Sequence, residues 1–175
     1  MPAMVAAGEV FGGRFHLDAL LSDGIESSVW ASTTSTGTRV ALKIFELPEP
    51  RGSAGAAAAT AALVAAYKRA ARVRHPAFVT VEEAGQTDEG VFFIATELLD
   101  GLTLRAVLDR QGALPVPWAL AITSQLLEAL TVAHAQGLVH GNVKPTSVIL
   151  TAPPGTDSAV RILNLGLSRP ISVET

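Results

Sequence analysis

The chain has 175 residues, of which 49% are hydrophobic and 17% are charged. This composition predicts a folded chain of one domain or a little less and does not favour disorder. The formal net charge of −3 leaves no basic footprint, so we expect no nucleic-acid partner. The absence of Cys excludes disulfides and thiolate chemistry. The first 13 residues lack a signal-peptide pattern, and no strongly apolar run of about 18 residues predicts a membrane span.

The first half of the chain predicts strands arranged around one helix. Alternating apolar and polar residues indicate strands, and turns at Gly24 and Gly37 separate the first three. A long Ala-rich helix is predicted over residues 54–74, and Pro76 ends it, because the residue before a proline disfavours the helical region. The predicted strands cover residues 15–21, 28–32, 39–45, 80–84 and 91–98.

The second half predicts two helices followed by a small hairpin. Thr103 is the expected cap of a short helix. Pro115 and Pro117 open a longer helix, and Gly137 ends it. The longer helix carries an apolar band that we expect to face the core, formed by Ala119, Ile122, Leu126, Leu127 and Leu130. The hairpin strands are predicted over residues 147–151 and 159–163.

Three short motifs occur in a fixed order along these elements. V-A-L-K at residues 40–43 lies on the third strand, H-G-N-V-K-P at residues 140–145 precedes a strand, and N-L-G at residues 164–166 follows the last strand. Each motif alone also fits an ordinary strand or loop. Their order and spacing together resemble the protein kinase family, in particular bacterial serine/threonine kinases, over residues 15–169.

The resemblance implies an α+β protein kinase-like fold. Residues 1–13 would be an N-terminal tail, and residues 14–98 an N-terminal lobe with a five-stranded antiparallel sheet and one helix. Residues 99–175 would hold the hinge, two helices and the catalytic-loop hairpin of a partial C-terminal lobe. The family's large lobe continues beyond this point, so we expect a fragment or truncated domain. The apolar band would then need a partner or self-association to cover it.

The resemblance also assigns the glycine-rich loop that closes over phosphates. Between the first two strands the sequence reads S-D-G-I-E-S-S-V at residues 22–29, and Gly24 is the one glycine retained from the family's G-x-G-x-x-G. Val29 corresponds to the valine that follows this loop. Glu26 would bring a negative charge toward a phosphate. An ordinary hairpin turn explains the same stretch equally well.

Further positions correspond to an adenine site. Alternation on the third strand places Ala41 and Lys43 on one face. By the resemblance Ala41 lines the adenine, and Lys43 reaches phosphate oxygens. Thr96 corresponds to the gatekeeper, and the backbone from Glu97 to Leu99 corresponds to the hinge that faces the adenine edge. The resemblance therefore implies a nucleotide-binding face with ATP as its ligand.

Several chemical groups of the family are absent from the sequence. Asn142 replaces the catalytic Asp, Ser147 replaces a metal-binding Asn, and Asn164 replaces the Mg-binding Asp, whereas Lys144 is retained. No Asp or Glu occurs between Gly52 and His75, so the long helix supplies no acid to pair with Lys43. We therefore expect a degraded Mg²⁺ site and no bound metal, and at most weak, metal-independent ATP binding.

Three hypotheses follow for the function. The first is a pseudokinase that binds nucleotide or acts as a scaffold or regulator of a protein partner. The second is a divergent, active serine/threonine kinase that uses Lys43 and Lys144 with a rearranged metal site. The third is an inactive relic. We expect a cytoplasmic location, either alone or as the cytoplasmic part of a larger membrane protein.

Overall fold

The computed structural model describes residues 5–25, 27–45, 53–151 and 159–166. The strands are β1 Val10–Phe11, β2 Phe15–Asp23, β3 Ser27–Thr34, β4 Arg39–Phe45, β5 Val81–Gln86, β6 Phe92–Glu97, β7 Leu102–Thr103, β8 Val148–Leu150 and β9 Val160–Ile162. The helices are α1 Ala54–Ala70, α2 Leu104–Gln111 and α3 Val116–Ala135, with a 3₁₀ helix at Pro145–Ser147. The predicted strands are found, with ends shifted by one or two residues.

The chain divides into two compact units. The first comprises Met1–Ala65 and Thr80–Leu98, and the second comprises Ala66–Val79 and Leu99–Thr175. Residues 66–79, which we assigned to the N-terminal lobe, therefore belong with the second unit. The physical reason is burial, because Val73, Ala77 and Phe78 join the second unit's apolar core.

The sheet of the first unit has six strands in the order β1-β2-β3-β4-β6-β5, all antiparallel. The expected five-stranded sheet was therefore one strand short. β1 lies in the segment that we assigned to a tail, and it pairs Phe11 with Phe15. The Phe11 ring packs edge-on against Phe93 at 5.8 Å between centroids. Burial of Phe11 anchors this extra strand, because an aromatic side chain contributes a large apolar area.

One face of this sheet forms the apolar core of the first unit. The buried residues of this core are Phe11, Phe15, Leu17, Trp30, Val40, Leu42, Ile44, Val91, Phe93 and Ala95. Along β4 the residues Val40, Leu42 and Ile44 are buried, and those between them are half-buried. This is the predicted period of two, so the prediction that Ala41 and Lys43 share the other face is confirmed.

The second unit contains the three-stranded sheet β7-β8-β9 and the helices α2 and α3. Thr103 caps α2 as predicted, because its Oγ1 accepts the Ala106 N–H at 3.1 Å. α1 ends at Ala70, four residues before the predicted end. The next residues form turns, with Arg72 N–H bonded to Arg69 O and Val73 N–H bonded to Ala70 O. These tighter bonds end the helix and direct Val73 into the core.

The inward face of α3 differs from the predicted band. Ile122, Ala129 and Ala133 are buried, whereas Leu127 is 60% exposed. These three residues are spaced by seven and four, a helical repeat that small Ala side chains complete. By length and composition alone, α3 is also long and apolar enough to cross a membrane, with a mean hydropathy of 1.3, a property that was not predicted from the sequence. Its buried residues belong to the core of the second unit and make up 17% of the apolar stretch.

Candidate functional site

Four of the predicted nucleotide-binding residues of the first unit lie on the sheet face opposite its apolar core. Strand register pairs Val29 with Lys43 and Ala41 with Thr96. Directly opposed residues of antiparallel strands point to the same side of the sheet. Ala41 and Lys43 are two residues apart on β4, so the two pairs share one face. The sheet therefore brings Val29, Ala41, Lys43 and Thr96 together on one half-buried surface.

Lys43 lies in an aromatic environment on that face. Its Nζ is 4.8 Å from the centroid of the Phe45 ring. Phe45 in turn packs against Phe92 at 5.0 Å between ring centroids. No role was predicted for Phe45 from the sequence. Its position two residues after Lys43 on a strand was the available signal, because such residues share a face.

The end of β6 is held by the chain before β5. The Glu97 carboxylate accepts the Thr80 N–H at 2.6 Å, and the Glu97 N–H donates to Thr80 O at 3.1 Å. The Thr96 hydroxyl lies 3.4 Å from the Ala41 carbonyl oxygen. Leu99, the third predicted hinge residue, is half-buried and belongs to the second unit. The bonds to Thr80 fix the backbone of Glu97, the residue for which a hinge role is predicted.

The turn between β2 and β3 is short. Gly24 donates its N–H to Ser27 O at 3.1 Å, and a Cβ at Gly24 would lie 3.3 Å from the same oxygen. Ile25 is 96% exposed at the tip, and Glu26 lies outside the described residues. Because the Gly24 N–H already has an acceptor within the turn, this geometry favours the hairpin interpretation over an open phosphate cradle.

His140 anchors the loop of the second unit that resembles a catalytic loop. Its Nε2–H donates to Leu163 O at 2.8 Å, and its Nδ1 accepts the Asn142 N–H at 3.3 Å. A carbonyl can only accept and an amide N–H can only donate, so these partners define the neutral tautomer. Burial lowers the pKa of His140 below its usual value, which also favours the neutral ring.

Ser147 is 2% exposed and stabilises the same loop from within. Its Oγ accepts the Lys144 N–H at 3.0 Å and lies 2.8 Å from Lys144 O and 3.4 Å from Asn142 O. The single hydroxyl proton therefore serves the loop's own backbone. The side chains of Asn142 and Lys144 are exposed.

Asn164 follows β9 in a left-handed backbone conformation, with φ of 63°. Asn and Asp are the non-glycine residues that adopt this region most readily. The preceding residue is fixed at both ends, because Leu163 N–H donates to Ser147 O at 2.9 Å and Leu163 O accepts from His140. Hydrogen bonds of the second unit therefore connect the loop of Asn142, Lys144 and Ser147 to the residue just before Asn164.

A polar groove on the first unit was not anticipated from the sequence. Thr33 donates its hydroxyl to Asp18 at 2.7 Å, and His16 Nδ1 lies 2.8 Å from the same carboxylate. The hydrogen bond from Thr33 has the largest effect and the contact with His16 the next largest, and together they hold the pKa of Asp18 below its usual value. Arg14 lines the same groove of about 450 Å³. The sequence signal that could have indicated this groove is the run of polar residues on the solvent side of β2 and β3.

Comparisons with known proteins identify the family. The protein kinase domain profile matches residues 15–175, so the chain belongs to the protein kinase family. The chain is similar to bacterial serine/threonine-protein kinases. It is 32% identical to PknA of Mycobacterium tuberculosis over 174 residues, covering 94% of this chain and 37% of PknA. It is 28% identical to pkn3 of Myxococcus xanthus over 166 residues, covering 93% of this chain and 29% of pkn3.

The similarity extends to a solved structure. The crystal structure of the Mycobacterium tuberculosis PknI kinase domain shares 27% sequence identity and a TM-score of 0.72, covering 94% of this chain and 64% of that one. The expected protein kinase fold is therefore confirmed. The chain spans roughly a third of the length of PknA and of pkn3.

Proposed function

We propose that this chain is a pseudokinase domain, which binds an adenine nucleotide and does not transfer its phosphate efficiently. The observation that supports this most is the state of the loop in the second unit. The loop has its supporting hydrogen bonds through His140 and Ser147, yet Asn142 stands at the position of the catalytic base. A kinase-like frame without its base is suited to binding, because a side-chain amide does not accept a proton near neutral pH.

The residues at the metal positions fit Mg²⁺ poorly. Ser147 and Asn164, which stand at the two metal positions, offer neutral oxygens only, whereas this hard cation favours anionic oxygen. The Ser147 proton is directed to the loop backbone. Among the residues that the structure describes, no group of three His, Cys, Asp or Glu side chains could hold a metal ion. We therefore propose that nucleotide binding does not depend on Mg²⁺.

The sizes of the expected catalytic losses favour nucleotide binding over phosphate transfer. A positioned general base contributes roughly 10²–10⁴-fold in rate, and a metal clamp contributes several kcal/mol of further stabilisation of the transition state. These contributions do not add simply within one catalytic unit, but both losses act in the same direction. On the binding side, Lys43 supplies a cation on the sheet face that carries Ala41 and Thr96.

A divergent active kinase is the second candidate. It is favoured by the relatives, which are named serine/threonine-protein kinases, and by the retention of Lys43 and Lys144 at positions that contact phosphate in the family. Under the first proposal the domain regulates or scaffolds a protein partner in the cytoplasm. Under the second it phosphorylates one.

The experiment that tests the proposal measures binding and transfer on the same preparation. Nucleotide binding is followed by thermal shift with ATP, in Mg²⁺ and in EDTA, and transfer is followed with labelled ATP and a general protein substrate. We expect stabilisation in both buffers and no transfer. Lys43→Ala should reduce the stabilisation, and the exposed Lys68→Ala should leave it unchanged.

A reversion separates the two candidates. The triple variant Asn142→Asp/Ser147→Asn/Asn164→Asp restores the family's base and metal ligands, so we expect Mg²⁺-dependent transfer to appear in it and not in the parent. Transfer by the parent chain that requires Mg²⁺ and is lost in Lys43→Ala would establish the active kinase instead. A parent chain that ATP does not stabilise in either buffer would refute nucleotide binding.

A further inference from the structure

The aromatic contact of Lys43 has a chemical consequence for the proposed nucleotide site. Lys43 and Phe45 are two residues apart on β4, so their side chains leave the strand on the same side. The Lys43 Nζ lies 4.8 Å from the centroid of the Phe45 ring. This distance is within the range of about 6 Å over which a ring face attracts an ammonium.

The Phe45 ring is held in place by a second, buried ring. It packs at 5.0 Å between centroids and at 45° against Phe92, which is 0% exposed. Phe92 belongs to β6, which pairs with β4 through the register of Ile44 with Phe93. Phe45 is itself half-buried at the end of its strand. Since a buried ring in a packed interior holds one position, the ring that packs on it is held as well.

The chemistry of this contact differs from that of an ion pair. In the kinase family the corresponding Lys pairs with a Glu from the helix that follows, and the stretch between Gly52 and His75 contains no acidic residue. A ring face attracts the ammonium without using a carboxylate, so it adds no negative charge beside a phosphate. It also restricts the rotamers of a long side chain, which lowers the entropy cost of ordering that side chain in a complex.

We propose that Phe45 is a positioning residue for Lys43, whose ring orients the ammonium toward an anionic oxygen of the nucleotide. The proposal rests on the proposed nucleotide binding. Phe45 itself need not touch the ligand. Its contribution to affinity is that of a partly exposed cation–π contact, which corresponds to about two- to fivefold in the dissociation constant.

The first measurement tests the contact in the unliganded chain. The sequence contains three lysines, at positions 43, 68 and 144, so ¹³C-lysine labelling gives three ε-methylene signals, and Lys43→Arg identifies one of them. We expect the ring current of Phe45 to move the Lys43 signal upfield in the parent and in Phe45→Tyr. The upfield shift should disappear in Phe45→Leu, which keeps apolar volume without a ring. An unchanged Lys43 signal in Phe45→Leu would overturn the proposal, whether or not nucleotide binds.

The second measurement tests the consequence, by titration with ATP in EDTA. We expect Phe45→Leu to weaken binding by about two- to fivefold and Phe45→Tyr to bind like the parent. In a Lys43→Met background, Phe45→Leu should cause no further loss, because the cycle isolates the coupling between the two residues. Phe11→Leu removes a ring from the opposite, core side of the same sheet and controls for loss of stability.

The outcomes distinguish the two proposals. Tighter binding by Phe45→Leu, or an equal loss with and without Lys43, would overturn the positioning role while leaving nucleotide binding established. A parent chain that shows the upfield signal but does not bind ATP would refute the proposed function and still support the orientation of Lys43 by Phe45.

Discussion

At the scale of single residues, Ser147 has a structural role at the position where the resemblance predicts a metal ligand. Its buried hydroxyl satisfies the Lys144 N–H and a carbonyl of the same loop. Ser147→Ala leaves these backbone groups without that partner, and a buried unsatisfied group costs about 1–3 kcal/mol. We expect a loss of that size in the free energy of unfolding, measured by urea denaturation. The neighbouring Thr146 is exposed, so Thr146→Ala should change it little, and equal effects of the two substitutions would contradict the assignment.

His140 makes the stability depend on pH. Burial lowers its pKa in the folded chain, while the unfolded value is near 6.5 (roughly, from model peptides). Below about pH 6.5 the unfolded chain takes up a proton that the folded chain resists, so the free energy of unfolding falls as the pH falls. Above that pH both states are neutral, and His140 contributes no slope.

The measurement is urea denaturation between pH 5 and pH 8. We expect a flat free energy of unfolding above about pH 6.5 and a decline below it. In His140→Gln the chain should be less stable at pH 8 and the decline smaller, because the group that takes up the proton has been removed. His134 is exposed, and His134→Gln should keep the slope of the parent. A slope that His140→Gln leaves unchanged would show that other groups cause it.

At the scale of elements, the start of α2 depends on one cap. The Thr103 Oγ1 accepts the Ala106 N–H, one of the first-turn donors that a helix leaves unsatisfied. Thr103→Ala should therefore lower the free energy of unfolding by about 1 kcal/mol. Thr103→Ser keeps the accepting oxygen and should retain most of the stability. Chemical denaturation of the two variants side by side measures the difference, and a serine variant as weak as the alanine variant would rule out the cap as the cause.

The sequence predicted those elements whose pattern is local. The alternation along β4 was enough to separate the faces of Leu42 and Lys43, because strand periodicity is a property of neighbouring residues. β1 could not be predicted, since Val10–Phe11 is too short to show a period. The inward face of α3 was also wrong at Leu127. A broad apolar helix offers several possible faces, and packing against the rest of the unit decides between them.

The candidate site shows the same limit. Residue identity and motif order predict that Asn142, Ser147 and Asn164 occupy chemical positions of the family motifs. The sequence did not indicate that the Ser147 hydroxyl serves its own loop, or that Lys43 contacts an aromatic ring. Both facts depend on side-chain direction within a folded neighbourhood, which composition and spacing do not determine.

At the scale of the whole chain, each unit has its own apolar core. The core of the first unit includes Leu42 and Phe93 and extends to Phe11. The core of the second unit includes Val107, Ala129 and Ile162. The match to the family profile begins later in the chain than the apolar core of the first unit. The profile begins at residue 15, whereas the buried Phe11 lies before it.

The short strand β1 therefore matters for how the protein is trimmed in the laboratory. A version cut to residues 14–175 would retain the whole region that matches the family profile, but it would lose the contact of the Phe11 ring with Phe93. It would also lose two hydrogen bonds, from Gly8 N–H to Leu17 O and from Leu17 N–H to Glu9 O. We expect such a version to lose about 2–5 kcal/mol in the free energy of unfolding. We also expect the exposed edge of β2 to promote aggregation. Calorimetry and light scattering on the two lengths would show this, and equal melting temperatures would mean that the leading residues are dispensable.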